Sequence, residues 1–205
     1  MTYDSKHVKM LNPKEGYDLV FDKYWEYHSY LDGFDNFAFS RFLPRGRDNL
    51  RIVDLWSWDG RLYKSLSDLR FIRYVACDIS EKLLSKHPDK VEKIVCDLES
   101  PLPFDDDSFD LAVSFFVIEH LSNIESFFEE IYRILDKDWT FILWYFFQRR
   151  SFEWKVWKDT FKIKIYNHRL EDVLKYWKNA GFEVNTLPVK EKGNLIWNIF
   201  VFEKN

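Results

Sequence analysis

The chain has 205 residues, 20% aromatic and 31% charged, with a formal net charge of -4. That length suits a single α/β domain with a filled core, and the mild acidity gives no global attraction to nucleic acid or to an anionic membrane. Cys77 and Cys96 are too few for a disulfide framework and fit no metal spacing, so they read as buried, reduced thiols of a cytoplasmic protein.

Residues 1–16 are polar, begin without the apolar run of a signal peptide, and are expected to be loosely held. From Tyr17 to Phe42 aromatics alternate with Asp, Glu and Lys at roughly helical spacing, which predicts a helical cap over 1–47 belonging to the same domain as 48–205. Tyr24, Tyr27 and His28 lie in its densest ring cluster and are candidates to wall a substrate pocket; ordinary packing against the sheet edge is the plainer reading of any single ring.

Pro44-Arg-Gly-Arg-Asp48 signals a turn, and Leu50-Arg-Ile-Val-Asp-Leu55 then reads as a buried strand ending beside a carboxylate. Trp-Ser-Trp-Asp-Gly follows, and Leu62, Tyr63 and Leu66 open a helical period from Gly60 to about Leu69. Strand, tight turn and helix start form the arrangement α/β proteins use to hold nucleotide-like ligands. Phe71–Asp78 is the second predicted strand, with Ser80 capping the next helix. Its terminal Asp78 stands 24 residues past Asp54, where a carboxylate can accept both ribose hydroxyls of a nucleoside.

Glu92–Leu98 gives a third strand, again ending in an aspartate, Asp97. Asp105, Asp106 and Asp107 read as a solvated turn, since no partner recurs at metal-ligand spacing. Phe109–Phe116 is apolar enough for a strand buried on both faces, followed by Val117-Ile-Glu-His-Leu121. Ser122-Asn-Ile-Glu125 forms a capping box for a helix whose Ile124, Phe127, Phe128, Ile131 and Leu135 share a face, and Thr140–Phe147 is a fifth strand, far too short to span a bilayer.

Between Gln148 and His168 basic residues interleave with Phe152, Trp154, Trp157 and Phe161. That chemistry suits single-stranded nucleic acid or a lid over a small, anionic substrate; the lid is favoured because the insertion follows the fifth strand, at the ligand-binding end of such sheets. Leu170, Val173, Leu174 and Trp177 mark a helix closed by Gly181, and two strands, Phe182–Val189 and Leu195–Glu203, finish the chain.

Asp54-Leu55 and Gly60, the Leu-Pro-Phe-Asp-Asp-Asp-Ser-Phe-Asp stretch at 102–110 and Ala-Gly-Phe-Glu-Val at 180–184 together resemble the class I S-adenosylmethionine-dependent methyltransferases, over about residues 48–203. The resemblance implies a three-layer Rossmann-like α/β sandwich with a mostly parallel seven-stranded sheet, the last strand antiparallel. It implies S-adenosylmethionine as cofactor, while the spacing of the cysteines and acidic residues gives no metal site. Asp54, Leu55, Trp56, Ser57, Trp58 and Gly60 would line its amino-acid end, Asp78 and Ile79 its ribose, Asp97 and Leu98 its adenine. Ser114, Phe115, Phe116, Glu119 and His120 would surround the methyl group, and His120 could act as general base because an imidazole titrates near neutral pH.

In that family the first motif runs apolar, Asp, Leu, Gly, x, Gly, x, Gly; here Trp56 and Trp58 stand at two of the glycines. Bare backbone there lets the chain turn and the cofactor lie close, and an indole would fill that space. The chain holds 6 Gly and 9 Trp, and the two counts together match an average glycine usage of about 7%. A genetic code that reads a stop-type codon as glycine, rendered with a table that reads it as tryptophan, would give this pattern at Trp56, Trp58 and Trp139. The expected function is methyl transfer to a small-molecule acceptor by direct displacement, with orientation and a dry pocket as the protein's contribution. The competing expectation is an inactive binding or scaffold protein obstructed by the two indoles. A nicotinamide oxidoreductase is disfavoured, because no Gly-x-Gly-x-x-Gly can be read.

Overall fold

The computed structural model describes residues 8–21, 48–66, 71–145, 153–156, 159–191 and 194–204. In chain order these form β1 (Lys9–Leu11), α1 (Pro13–Val20), β2 (Leu50–Leu55), α2 (Arg61–Ser65), β3 (Phe71–Asp78), α3 (Glu81–Leu84), β4 (Glu92–Val95) and β5 (Phe109–Phe115). A 3-10 turn at Ile118–His120 leads to α4 (Ile124–Ile134), β6 (Leu135–Tyr145), β7 (Glu153–Val156), β8 (Asp159–Ile163), α5 (Leu170–Ala180), β9 (Glu183–Glu191) and β10 (Asn194–Lys204).

Seven strands make one sheet in the order β4-β3-β2-β5-β6-β10-β9. β2 runs parallel to both β3 and β5, β3 to β4 and β5 to β6, while β10 is antiparallel to β6 and β9. The predicted α/β sheet with its antiparallel final strand is therefore present. Every residue of β5 is buried, as its unbroken apolar run requires of a strand covered on both faces. The strand order reverses between β2 and β5, so the crevice beyond their carboxyl ends is where an open α/β sheet binds ligands.

One face of the sheet packs on α4 and α5. Ile124, Phe127, Phe128, Ile131 and Ile134 of α4 and Val173 and Trp177 of α5 are buried, and the Trp177 ring lies 5.2 Å from Phe200 and 4.9 Å from Phe202. Leu174, expected on the buried stripe of α5, is exposed instead. The N-cap of α4 is Asn123, whose side chain accepts from Ser126 N–H at 3.3 Å; Ser122, the expected cap, bonds to Glu99 with its N–H and hydroxyl.

The first residues depart from expectation. Lys9–Leu11 is a strand, and Asn12 and Glu15 form a capping box that starts α1 with Pro13 in its first turn. That signal lay in the sequence and was hidden by the polarity of the segment. β1 pairs in parallel with β8, and β8 pairs antiparallel with β7, giving a separate three-stranded sheet. The basic and aromatic insertion thus contributes a hairpin that takes its third strand from the N-terminus. Gly16 is needed where α1 crosses this sheet, since a side chain there would run into Ile163. Tyr24, Tyr27 and His28 lie outside the described residues.

Candidate functional site

β2 delivers the chain into a turn in which three residues take left-handed backbone: Trp56 at φ 79°, Trp58 at φ 55° and Gly60 at φ 86°. Trp56 and Ser57 N–H both donate to Cys77 O at 2.8 Å, and Gly60 N–H donates to Ser57 O at 3.1 Å, so the turn is tied to the end of β3 before α2 begins. His87 braces it from outside. Its Nε2 lies 3.1 Å from Trp58 O, and a carbonyl only accepts, so the proton sits on Nε2. Burial lowers the His87 pKa, which keeps the ring neutral. A Cβ on Gly60 would stand 3.1 Å from His87 Nδ1 on a left-handed backbone. Gly60→Ala is expected to cost about 1–3 kcal/mol, measured as a lowered urea midpoint at unchanged slope.

The three expected carboxylates reach the same end of the sheet and are held in three separate ways. Asp54, buried, accepts from Tyr74 Oη at 2.6 Å. Asp78 is 2% exposed and accepts from Ser80 N–H at 2.9 Å and Trp58 N–H at 3.1 Å. Burial pushes its pKa up to about 7 against the pull of those two N–H donors, with the Asp18 carboxylate adding to the rise. Asp97 stands in the turn beyond β4, exposed, with Oδ1 accepting from Glu99 N–H at 3.0 Å.

α1 covers the crevice. Asp18 accepts from Ser80 Oγ, and Tyr17 Oη lies 2.9 Å from His120 Nε2. His120 Nδ1 is 3.1 Å from Lys164 O, which again can only accept, so Nδ1 carries a proton. The Trp56 indole stacks on His120 with centroids 5.4 Å apart and meets Tyr17 edge-on at 5.3 Å. Tyr17 also meets Trp58 at 5.5 Å. Tyr166 N–H donates to Glu119 O at 2.6 Å, and His168 Nε2 is near the carbonyls of Ile118 and Leu121, so the segment after β8 closes over the 3-10 turn.

Trp56, Trp58, Asp78 and His120 therefore come together, with Ile79 and Leu98 packed into the same core. Phe115 and Phe116 belong to the second core, where their rings lie 5.4 and 5.1 Å from Trp144. Trp139 takes no left-handed backbone; its neighbour Asp138 does, at φ 61°. Of the acidic run, Asp106 pairs with Arg133 at 2.9 Å and Asp107 with Lys204 at 2.8 Å. Sequence reasoning placed Tyr17 and Asp18 in a helical cap without assigning them to the site, and missed His87 as its brace. Only the α1 capping box could have pointed to the first two.

A family model described as a methyltransferase domain matches residues 57–143. No curated protein matches the chain. Among solved structures, a methyltransferase from Haloferax volcanii, in complex with the Trm112 methyltransferase activator, is similar with a TM-score of 0.71 and 17% identity, over 93% of this chain and 96% of that one. An S-adenosylmethionine-dependent methyltransferase from Thermotoga maritima is similar with a TM-score of 0.65 and 21% identity, over 92% and 99%. The [4+2]-cyclase SpnF has a TM-score of 0.73 and 14% identity, over 96% and 98%. At such identities the likeness concerns the fold, and the range of named activities on it leaves chemistry to the site.

S-adenosylmethionine is the cofactor these methyltransferase matches imply. The backbone at the crevice suits it, and Ser57 Oγ and Ser114 Oγ are buried there without a hydrogen-bond partner among the described residues. The side chains at 56 and 58 do not suit it. The buried Trp56 ring spans from the turn to His120, and the Trp58 backbone holds Asp78 shut.

Proposed function

We propose that the chain is a class I S-adenosylmethionine-dependent methyltransferase that methylates a small-molecule acceptor by direct displacement at the crevice between β2 and β5, a reading supported by the methyltransferase-domain match and the shared fold. The observation that carries this reading is the triple left-handed turn at Trp56, Trp58 and Gly60, at the point where the strand order reverses. The cofactor supplies an activated methyl group. Asp78 and Ile79 are its ribose side, Asp97 and Leu98 its adenine side, and Asp54, Leu55, Ser57, Gly60 and Ser114 the remaining wall. The β1-β8-β7 sheet and the segment after it act as the lid. Glu119, on the turn this segment closes, lies on the acceptor side. A net charge of -4 and the pairing of Lys162 with Glu153 at 3.2 Å support a small acceptor over nucleic acid. No helix among the described residues is long and apolar enough to cross a membrane.

His120 is the proton acceptor in this reading, working through Tyr17. Both imidazole nitrogens are engaged, Nδ1 with Lys164 O and Nε2 with Tyr17 Oη. The proton lost by the acceptor passes to Tyr17 Oη as the tyrosine's own proton passes to Nε2, leaving a neutral tyrosine and an imidazolium. In the active form, Tyr17→Phe and His120→Gln are each expected to lower kcat by about 10²–10⁴ with cofactor affinity unchanged. Steady-state kinetics beside a binding titration check this, and an unchanged kcat in both variants would remove the relay.

The reading is tested by incubating Trp56→Gly/Trp58→Gly with cofactor carrying a labelled methyl group and a small-metabolite extract. Label is expected in a compound that survives removal of macromolecules. A second reading, a non-catalytic binding protein on the same fold, is favoured by the Trp56 indole in the crevice. A variant that binds S-adenosylhomocysteine yet labels nothing would support it.

A further inference from the structure

Five of the described tryptophans divide into two kinds. Trp177 is buried among phenylalanine rings on α5, and Trp144 is buried at the end of β6 with its ring between Phe115 and Phe116. Trp139 lies in β6 opposite Lys204. None of these three has a positive φ, and each fills a place an aromatic ring suits.

Trp56 and Trp58 are of the other kind. Both take left-handed backbone, which strains a bulky side chain and which glycine adopts freely. Two such positions, with one residue between them and Gly60 two further on, make a turn whose backbone demands glycine three times and receives it once. The Trp56 indole N–H is buried with no hydrogen-bond partner among the described residues, as are Ser57 Oγ beside it and Ser114 Oγ, which sits opposite Leu55 in the sheet register. Buried polar atoms left over at the reversal of a sheet are what a polar ligand satisfies. The composition agrees, with 6 Gly against 9 Trp in 205 residues.

We infer that positions 56 and 58 are glycine in the protein as its source makes it, the codon at both sites being read there as glycine, and that the crevice opened in this way takes an adenosyl ligand. The second half rests on the methyltransferase reading; the first does not. The inference covers Trp56 and Trp58 and excludes Trp177 and, on its backbone, Trp139.

Two measurements test it. Protein purified from its source and digested with trypsin yields the peptide Ile52–Arg61, whose mass is expected to carry two glycines in place of the two indoles, while the peptide holding Trp177 keeps its ring. A mass with both tryptophans overturns the inference. In the second, Trp56→Gly/Trp58→Gly, the chain with both tryptophans and the native-source protein are titrated with S-adenosylhomocysteine by calorimetry, each first checked for cooperative thermal unfolding. The glycine forms are expected to bind at least about 100-fold more tightly than the tryptophan form, a difference near 2.7 kcal/mol. Equal affinity of the two forms would show that the indoles obstruct nothing. Glycines in the native peptide together with no binding by folded native protein would leave the codon assignment standing and overturn the adenosyl ligand, and with it the methyltransferase reading.

Discussion

Trp177→Ala is expected to lower the stability of the fold by about 3–5 kcal/mol, the usual cost of emptying a large aromatic site in a packed core. Trp177 and Val173 are the buried residues of α5, so the ring is much of what holds that helix to the sheet, against Phe200 and Phe202. For a chain of this length the loss corresponds to a fall in Tm of roughly 10 °C, readable by thermal and urea unfolding. Trp56→Gly is expected to behave differently although its ring is as well buried. Release of left-handed strain and of an unpaired indole N–H, about 1–3 kcal/mol each, offsets the lost packing and leaves a net change within about 2 kcal/mol of zero. Comparable losses in the two variants would mean that Trp56 is an ordinary core residue.

Asp78 makes stability fall as pH rises. Its folded pKa is about 7, against an ordinary 3.8, so between those values the folded chain keeps a proton that the unfolded chain has released. The contribution is fully present below about pH 4, declines by about 1.4 kcal/mol per pH unit through the window, and levels off above about pH 7. From pH 5 to pH 7 this group alone costs about 2 kcal/mol, the slope halving as pH 7 is reached. Comparing urea unfolding of the parent chain and Asp78→Asn at both pH values isolates it, because every other titrating group is common to the two proteins. The parent is expected to lose about 2 kcal/mol relative to the variant, whatever the variant's own starting stability. Parallel pH profiles would show that the buried carboxylate titrates where an exposed one does.

The sheet was legible because its strands announce themselves: β2, β3 and β5 each carry an apolar run ending near a polar punctuation, and the last hairpin follows a helix closed by Gly181. Strand ends were less secure, since β4 stops at Val95 and leaves Asp97 in an exposed turn. At the site, the sequence pointed to the turn at 56–60 and to Asp78, because spacing along a βαβ unit is a local property. What it could not supply was which residues of the expected cap and lid meet the site. Tyr17 meets His120 across 103 positions of chain, and the N-terminal strand pairs with Phe161, Lys162 and Ile163; no local pattern encodes contacts between segments so far apart. Asn12-Pro-Lys-Glu15 was a readable helix start, passed over because its surroundings are polar. The left-handed residue within β6 was misassigned for a simpler reason. Asp tolerates that backbone better than Trp, and Asp138 falls in the stretch where the β5–β6 register shifts between Phe109 and Leu111.

The pairing of Lys9–Leu11 with Phe161–Ile163 has a consequence for how the molecule is made. During synthesis the N-terminal strand emerges early and has nothing to join until three quarters of the chain has followed it. Strands β2 to β5 can settle in the meantime, so the half that would grip a nucleoside exists before the half that would enclose an acceptor. Trimming the first eleven residues therefore threatens the roof of the crevice while sparing its floor.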